Sequence, residues 1–183
     1  MRLFLAIPLP KNTLCQLEAI QPAPEKGLRL SQVENMHLTL AFIGEGDPEQ
    51  IDMALAHFNA ESLELQQQGV GVFRGRKQSV LWADLAPSRG LFFLHEKLLL
   101  CLRRRNIPLY GQEKTQAKWR PHITLARSST TTNPSAIEDF LSQPLKSTNA
   151  FKVKEFVLYN SVMEAGAVSY EVVSRYPLEN PLP

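Results

Sequence analysis

Apolar residues along the chain recur with two periods, every second position in some stretches and every third or fourth in others, which are the repeats of strands and helices. The first half reads as a strand over residues 2–7 and an amphipathic helix over 10–20, with Leu14, Leu17 and Ile20 on one face. A strand over 36–43 follows. Gly44 and Gly46 are expected to turn the chain, and Asp47, Pro48 and Gln50 make a helix start of the capping-box kind. That helix runs to Phe58 and precedes a strand over 63–73. The second half predicts a strand over 80–85 and a helix over 90–104 carrying Leu91, Leu94, Leu98 and Leu102. Strands over 121–127, 151–163 and 169–176 follow, with a short helix over 134–141 between the first two. Each half therefore reads strand, helix, strand, helix, strand, the order a duplicated chain would leave. Alternating helices and strands would also suit a doubly wound parallel sheet, but the chain has no phosphate-binding glycine loop.

The central strand of each half carries the same pentapeptide, HLTLA over 37–41 and HITLA over 122–126. Histidine occurs four times in 183 residues, so two His-x-Thr motifs with matched flanks are not a product of composition. Strand alternation sets His37 beside Thr39, and His122 beside Thr124, with the intervening leucines and isoleucine on the opposite, core-filling face. Imidazole gives and takes protons near neutrality, and two of them facing one substrate make an acid and a base. Each hydroxyl can donate a hydrogen bond to an anionic oxygen. In-line displacement at phosphorus needs this set: one group activates the nucleophile, another protonates the leaving oxygen, and donors steady the charge between them. The fifth residue after each histidine differs, being Phe42 in one motif and Arg127 in the other. A guanidinium can hold a phosphate oxygen and a phenyl face can stack a base. Plain alternation puts both on the face away from the histidines, so a bulge, twist or strand end must re-aim them.

The other histidines, His57 and His95, sit in the helix-like stretches MALAHF and LFFLHEKLLL without a threonine two residues on; they read as core or surface. No H-E-x-x-H pair, acidic cluster, Walker loop or G-x-G-x-x-G is present, so metal-independent chemistry without a cofactor is expected. A formal net charge of +2 is too small for a protein that coats nucleic acid. Basic residues do cluster at Arg74, Arg76 and Lys77, at Arg103 to Arg105, where they complement a helix C-terminus, and at Lys114, Lys118 and Arg120. Cys15 and Cys101 read as reduced thiols. Pro8 and Pro10 break the N-terminal apolar run, and no stretch has the roughly 20 apolar residues of a membrane span. A soluble, cytoplasmic protein is expected.

RLFLAIPLP at the N-terminus, MHLTLAFIGE, SVLWADL and WRPHITLAR together resemble bacterial RNA 2',3'-cyclic phosphodiesterases, the 2'-5' RNA ligase family of two-histidine phosphoesterases. The resemblance extends from residue 1 to about residue 176. It implies one α+β domain over 1–183, built as two pseudo-twofold lobes whose antiparallel-rich sheets flank a central cleft, with helices outside. It further implies that His37 protonates the leaving O3' and His122 activates water. Thr39, Thr124, Arg127 and Phe42 would hold the substrate, with no metal or cofactor. The substrate would be RNA ends bearing a 2',3'-cyclic phosphate, the product a 2'-phosphomonoester, and no membrane or obligate protein partner is implied. Lys118 and Arg120 are candidates for the rest of the RNA strand. Rival readings are a related phosphoesterase acting on ADP-ribose cyclic phosphate or 2'-5' oligonucleotides, and a non-catalytic module binding RNA ends. The last has no need of an acid and base pair. Ligation of a cyclic phosphate to a 5'-hydroxyl is the reverse of cleaving a 2'-5' linkage by the same two groups, but water far outnumbers RNA ends and favours hydrolysis.

Overall fold

A computed structural model describes residues 1–110, 119–143, 149–164 and 166–179. In chain order its elements are β1 (Arg2–Pro8), α1 (Lys11–Glu18), β2 (Leu28–Leu30), β3 (His37–Glu45), α2 (Pro48–Leu55), β4 (Leu63–Leu65) and β5 (Gln67–Phe73). There follow β6 (Gln78–Leu85), α3 (Arg89–Arg104), β7 (His122–Ser129), α4 (Pro134–Ser142), β8 (Phe151–Val153), β9 (Glu155–Glu164) and β10 (Ala167–Pro177). The fold is α+β and its strand pairs are antiparallel.

Two groups of strands make the sheet, β10-β9-β1-β3 and β7-β6-β5, with β2 on the free edge of β7. They meet through β3 and β7 at a single register pair, Leu38 with Ile123. These are the equivalent residues of the two motifs, each next after its histidine. Antiparallel strands that pair equivalent residues are related by a local twofold axis, so the fold's pseudo-symmetry passes between the motifs. Each half lends a long strand to the other: β5 joins β6, and β9, with β10 on its far side, joins β1. The short strands β4 and β8 pair with each other where these crossings occur.

The expected strand over 63–73 is thus two strands with different partners. Its burial alternates without interruption from Leu65 to Gly69, but at Gln66 the chain leaves β8 and joins β6. Alternation reports faces and is silent about partners. The expected strand over 151–163 divides at Lys154 in the same way. The helix expected to reach Phe58 ends at Leu55, because Phe58 turns back to set its ring edge-on to Phe156, at 5.3 Å; His57 lies on the intervening turn and is exposed. Gly44 stays within β3, at φ +76, and the chain turns after it. Asp47 caps α2 as expected, accepting from the Glu49 amide.

One face of the sheet carries the core. Leu3, Leu5 and Ile7 of β1, Leu38 and Leu40 of β3, Leu81 and Leu85 of β6, and Ile123 and Leu125 of β7 are buried there. The helices cover this face; Leu91, Leu94, Leu98 and Leu102 of α3 all belong to the same apolar cluster. Among the described residues no helix covers the centre of the opposite face, which carries the His and Thr of both motifs. Cys15 and Cys101 are free thiols. Among the described residues no helix is long and apolar enough to cross a membrane.

Candidate active site

Continuing the Leu38–Ile123 register by one residue in either direction sets His37 across from Thr124 and Thr39 across from His122. Four polar side chains thereby form a square on the open face at the pseudo-twofold axis. Their support is matched on the two sides. His37 Nδ1 donates to the Asn35 carbonyl at 2.7 Å and His122 Nδ1 to the Arg120 carbonyl at 2.8 Å, two residues back in each case. A carbonyl only accepts, so the hydrogen of each neutral ring sits on Nδ1 and the lone pair on Nε2. His37 Nε2 lies 3.1 Å from Thr39 Oγ1.

Aromatic rings wall both imidazoles. Phe4 lies 4.9 Å from His37, centre to centre, and Tyr170 meets the ring edge-on at 5.1 Å. Phe73 meets His122 edge-on at 4.9 Å, and Trp82 is 6.1 Å away. Trp82 lies flat on the sheet because its neighbour on β5 is Gly71; a Cβ there would stand 2.3 Å from the indole. These apolar walls set the protonation chemistry. Burial lowers the pKa of His37 from 6.5 to about 4; the Asn35 carbonyl opposes this, and the charges of His122 and Arg127 add to it. His122 is lowered too, by burial first, with the Arg120 carbonyl opposing and Arg127 and Arg120 adding.

Phe42 and Arg127 do reach the open face. Both motif strands carry a β-bulge at the same place: β1 skips Leu40 between the pairs Leu5–Ala41 and Ala6–Thr39, and β6 skips Leu125 between Leu81–Ala126 and Trp82–Thr124. Each bulge buries two consecutive residues, Leu40 with Ala41 and Leu125 with Ala126. The alternation changes phase there, and the fifth residue after His returns to the histidines' side. Phe42 is 54% exposed. The Arg127 charge acts on both imidazoles. The signal for this was in the sequence, as the unbroken apolar pair Leu-Ala in each motif.

Other candidates fare differently. Arg120 sits with its guanidinium 4.4 Å from the Trp82 ring centre and 3.4 Å from Asp84, so it braces the wall beside His122. Lys114 and Lys118 lie outside the described residues. His95 is buried behind the sheet, stacked on Trp119 at 3.6 Å, and bonds the Leu40 carbonyl at the first bulge; it faces away from the open side. Arg103 and Arg104 occupy the last turn of α3. Sequence reasoning missed Tyr159 and Tyr170, which complete the wall around His37; they come from β9 and β10, far along the chain, with no motif to mark them. Among the described residues no three His, Cys, Asp or Glu side chains converge as a metal-ligand group.

This geometry has close counterparts. The E. coli LigT crystal structure in apo form superposes with a TM-score of 0.77 at 27% identity, covering 98% of each chain. LigT complexed with 3'-AMP gives 0.76, also at 27% identity, over 97% of this chain and 96% of the other. An RNA 2',3'-cyclic phosphodiesterase of Methanocaldococcus jannaschii is 25% identical over 96% of this chain and all of its own length. The E. coli K12 protein of the same name is 29% identical over 97% of this chain and 96% of its own. The model of the 2'-5' RNA ligase superfamily matches residues 10–162, and the chain belongs to that superfamily.

Proposed function

We propose that the protein is a hydrolase that opens RNA 2',3'-cyclic phosphate ends to 2'-phosphomonoesters, using His37 as acid and His122 as base. The observation that carries this reading is the square of two His and two Thr at a pseudo-twofold axis, each imidazole fixed through Nδ1 so that Nε2 is the working atom. In-line attack needs a base and an acid on opposite sides of phosphorus, and a dyad through the phosphate supplies both. Relatives named for this activity along nearly the whole chain support it.

In the proposed step, His122 Nε2 takes a proton from water as the water attacks phosphorus. The bond to O3' breaks, and protonated His37 gives that oxygen its Nε2 proton. The O2'–P bond survives, which makes the product the 2'-phosphomonoester. Thr39 and Thr124 donate to the phosphoryl oxygens, and Arg127 balances their growing charge. Phe42 offers its exposed ring to the terminal base. The lowered pKa of His122 suits a base. His37 must gain a proton to serve as acid, and the phosphodiester anion beside it favours the imidazolium. The residues of both lobes are needed together, so we take 1–183 as one functional unit.

The test is turnover of an RNA oligonucleotide ending in a 2',3'-cyclic phosphate by single variants checked for folding. His37→Ala and His122→Ala should each lose about 100- to 10,000-fold, the usual worth of general acid or base catalysis. Thr39→Ala and Thr124→Ala should lose less, about ten- to one-hundred-fold for a hydrogen bond to a charged group. A folded histidine variant with near wild-type turnover would refute the two-histidine reading.

A further inference from the structure

The pseudo-twofold axis relates a second pair of contacts beside the motifs. The segment preceding each motif strand reaches across to the other motif strand and pairs with the fifth residue after its histidine. Tyr110, ahead of β7, pairs with Phe42 of β3, its amide donating to the Phe42 carbonyl at 2.8 Å. Arg29 in β2, ahead of β3, pairs with Arg127 of β7. One side of the axis thus sets aromatic against aromatic, and the other cation against cation.

Arg29 shares the open face with Arg127. Leu28 and Leu30, on either side of it, pack against the core, so Arg29 is turned the other way and is exposed. Like charges directly opposite on neighbouring strands repel. Among the described residues no carboxylate forms an ion pair with either arginine, whereas Arg120 and Arg175 on the same side of the sheet meet Asp84 and Glu155. Two guanidiniums side by side on the open face, with no carboxylate paired to them among the described residues, are a seat for anions. Their reach differs. The Arg127 charge bears on both imidazoles, and Arg29 lies across from it on β2, beyond β7. Arg127 therefore belongs to the reacting phosphate, and Arg29 lies one step farther out.

We infer that Arg29 holds the next phosphodiester of the RNA strand, one linkage in from the cyclic end, and so makes the site prefer an oligonucleotide to a single nucleotide. This rests on the proposed activity at cyclic phosphate ends. The contact is to a non-bridging oxygen and carries no base information, so the preference is for chain length and not for sequence.

The test compares two substrates that differ in that phosphate, a 2',3'-cyclic mononucleotide and a short oligoribonucleotide ending in the same cyclic nucleotide. Wild-type turnover of the mononucleotide tests the activity itself, independently of Arg29. In Arg29→Ala, the loss of kcat/KM on the oligonucleotide should exceed the loss on the mononucleotide by about ten-fold, with the excess in KM. The slope of log kcat/KM against log salt for the oligonucleotide should become shallower by about 0.7, the value for one single-strand phosphate contact. Arg29→Lys should restore most of that slope. Equal losses on the two substrates, or no loss on either, would overturn the assignment while leaving the two-histidine chemistry standing.

Discussion

His37 has to carry a proton in the proposed reaction, yet in the free protein its surroundings hold it at about 4. His122, on the other side of the axis, is also lowered. Both imidazoles are therefore mostly neutral at pH 7 until an anion arrives. A bound phosphodiester stabilises the imidazolium form and raises the pKa of each. The pH profile of kcat/KM reports the free enzyme and that of kcat the complex. Both should be bell-shaped, with the kcat/KM limbs below pH 6.5 and the kcat bell displaced upward. A kcat bell displaced downward would show that the phosphate does not sit between the histidines. The identities of the paired His and Thr were legible in the sequence because duplication made them stand out among only four histidines. The depressed pKa values were not. They come from Phe4, Tyr170, Phe73 and Trp82, which only the folded sheet brings to the rings.

At the scale of elements, the decisive feature is the bulge repeated in β3 and β7. Strict alternation would send Phe42 and Arg127 into the core side, where an unpaired guanidinium is prohibitively costly to bury. The extra residue in each strand turns both outward. Arg127→Ala should then reduce kcat/KM by ten-fold or more on any cyclic phosphate substrate, as expected for loss of a charge-assisted contact. Phe42→Ala should be felt mainly where a base can stack. Steady-state kinetics on cyclic nucleotides would check both, and an Arg127→Ala enzyme with unchanged kinetics would mean that the side chain takes no part. The strands and helices themselves were largely legible from their periods. The exceptions are the short strand β2, which no period marks, the end of α2 at Leu55, and the breaks at Gln66 and Lys154, where the chain changes partner without changing face. Periodicity records which side is buried and holds no information about which strand lies alongside.

Across the whole molecule, the exchange of β5 and β9 between halves locks the lobes together and was invisible to local reading, since it is a choice among distant partners. The duplication implied two equal halves, and the structure adds that each is completed by the other. The cost of the buried imidazoles is also a property of the whole. His37 and His95 are each lowered from 6.5 to about 4, and His122 in the same direction. A group whose folded pKa lies below its unfolded value binds more protons when unfolded, so stability is complete above about pH 6.5 and falls as pH drops toward 4. Thermal unfolding midpoints between pH 7 and 4 should decline across that window. His95→Gln, which keeps an N–H for the Leu40 carbonyl and removes the titration, should make the decline shallower. A variant whose midpoint follows the wild-type curve through the window would show that His95 does not titrate with unfolding.

The central claim is that two histidines, acting as acid and base, place water opposite O3'. The most direct measurement is the identity of the product from an RNA ending in a 2',3'-cyclic phosphate, incubated with the protein in EDTA and resolved into 2'- and 3'-phosphate isomers. The account predicts the 2'-phosphomonoester at a rate that EDTA leaves unchanged. A 3'-phosphate product would reverse the leaving oxygen, and activity lost in EDTA and regained with a divalent ion would give the histidines to a metal; either result would contradict it.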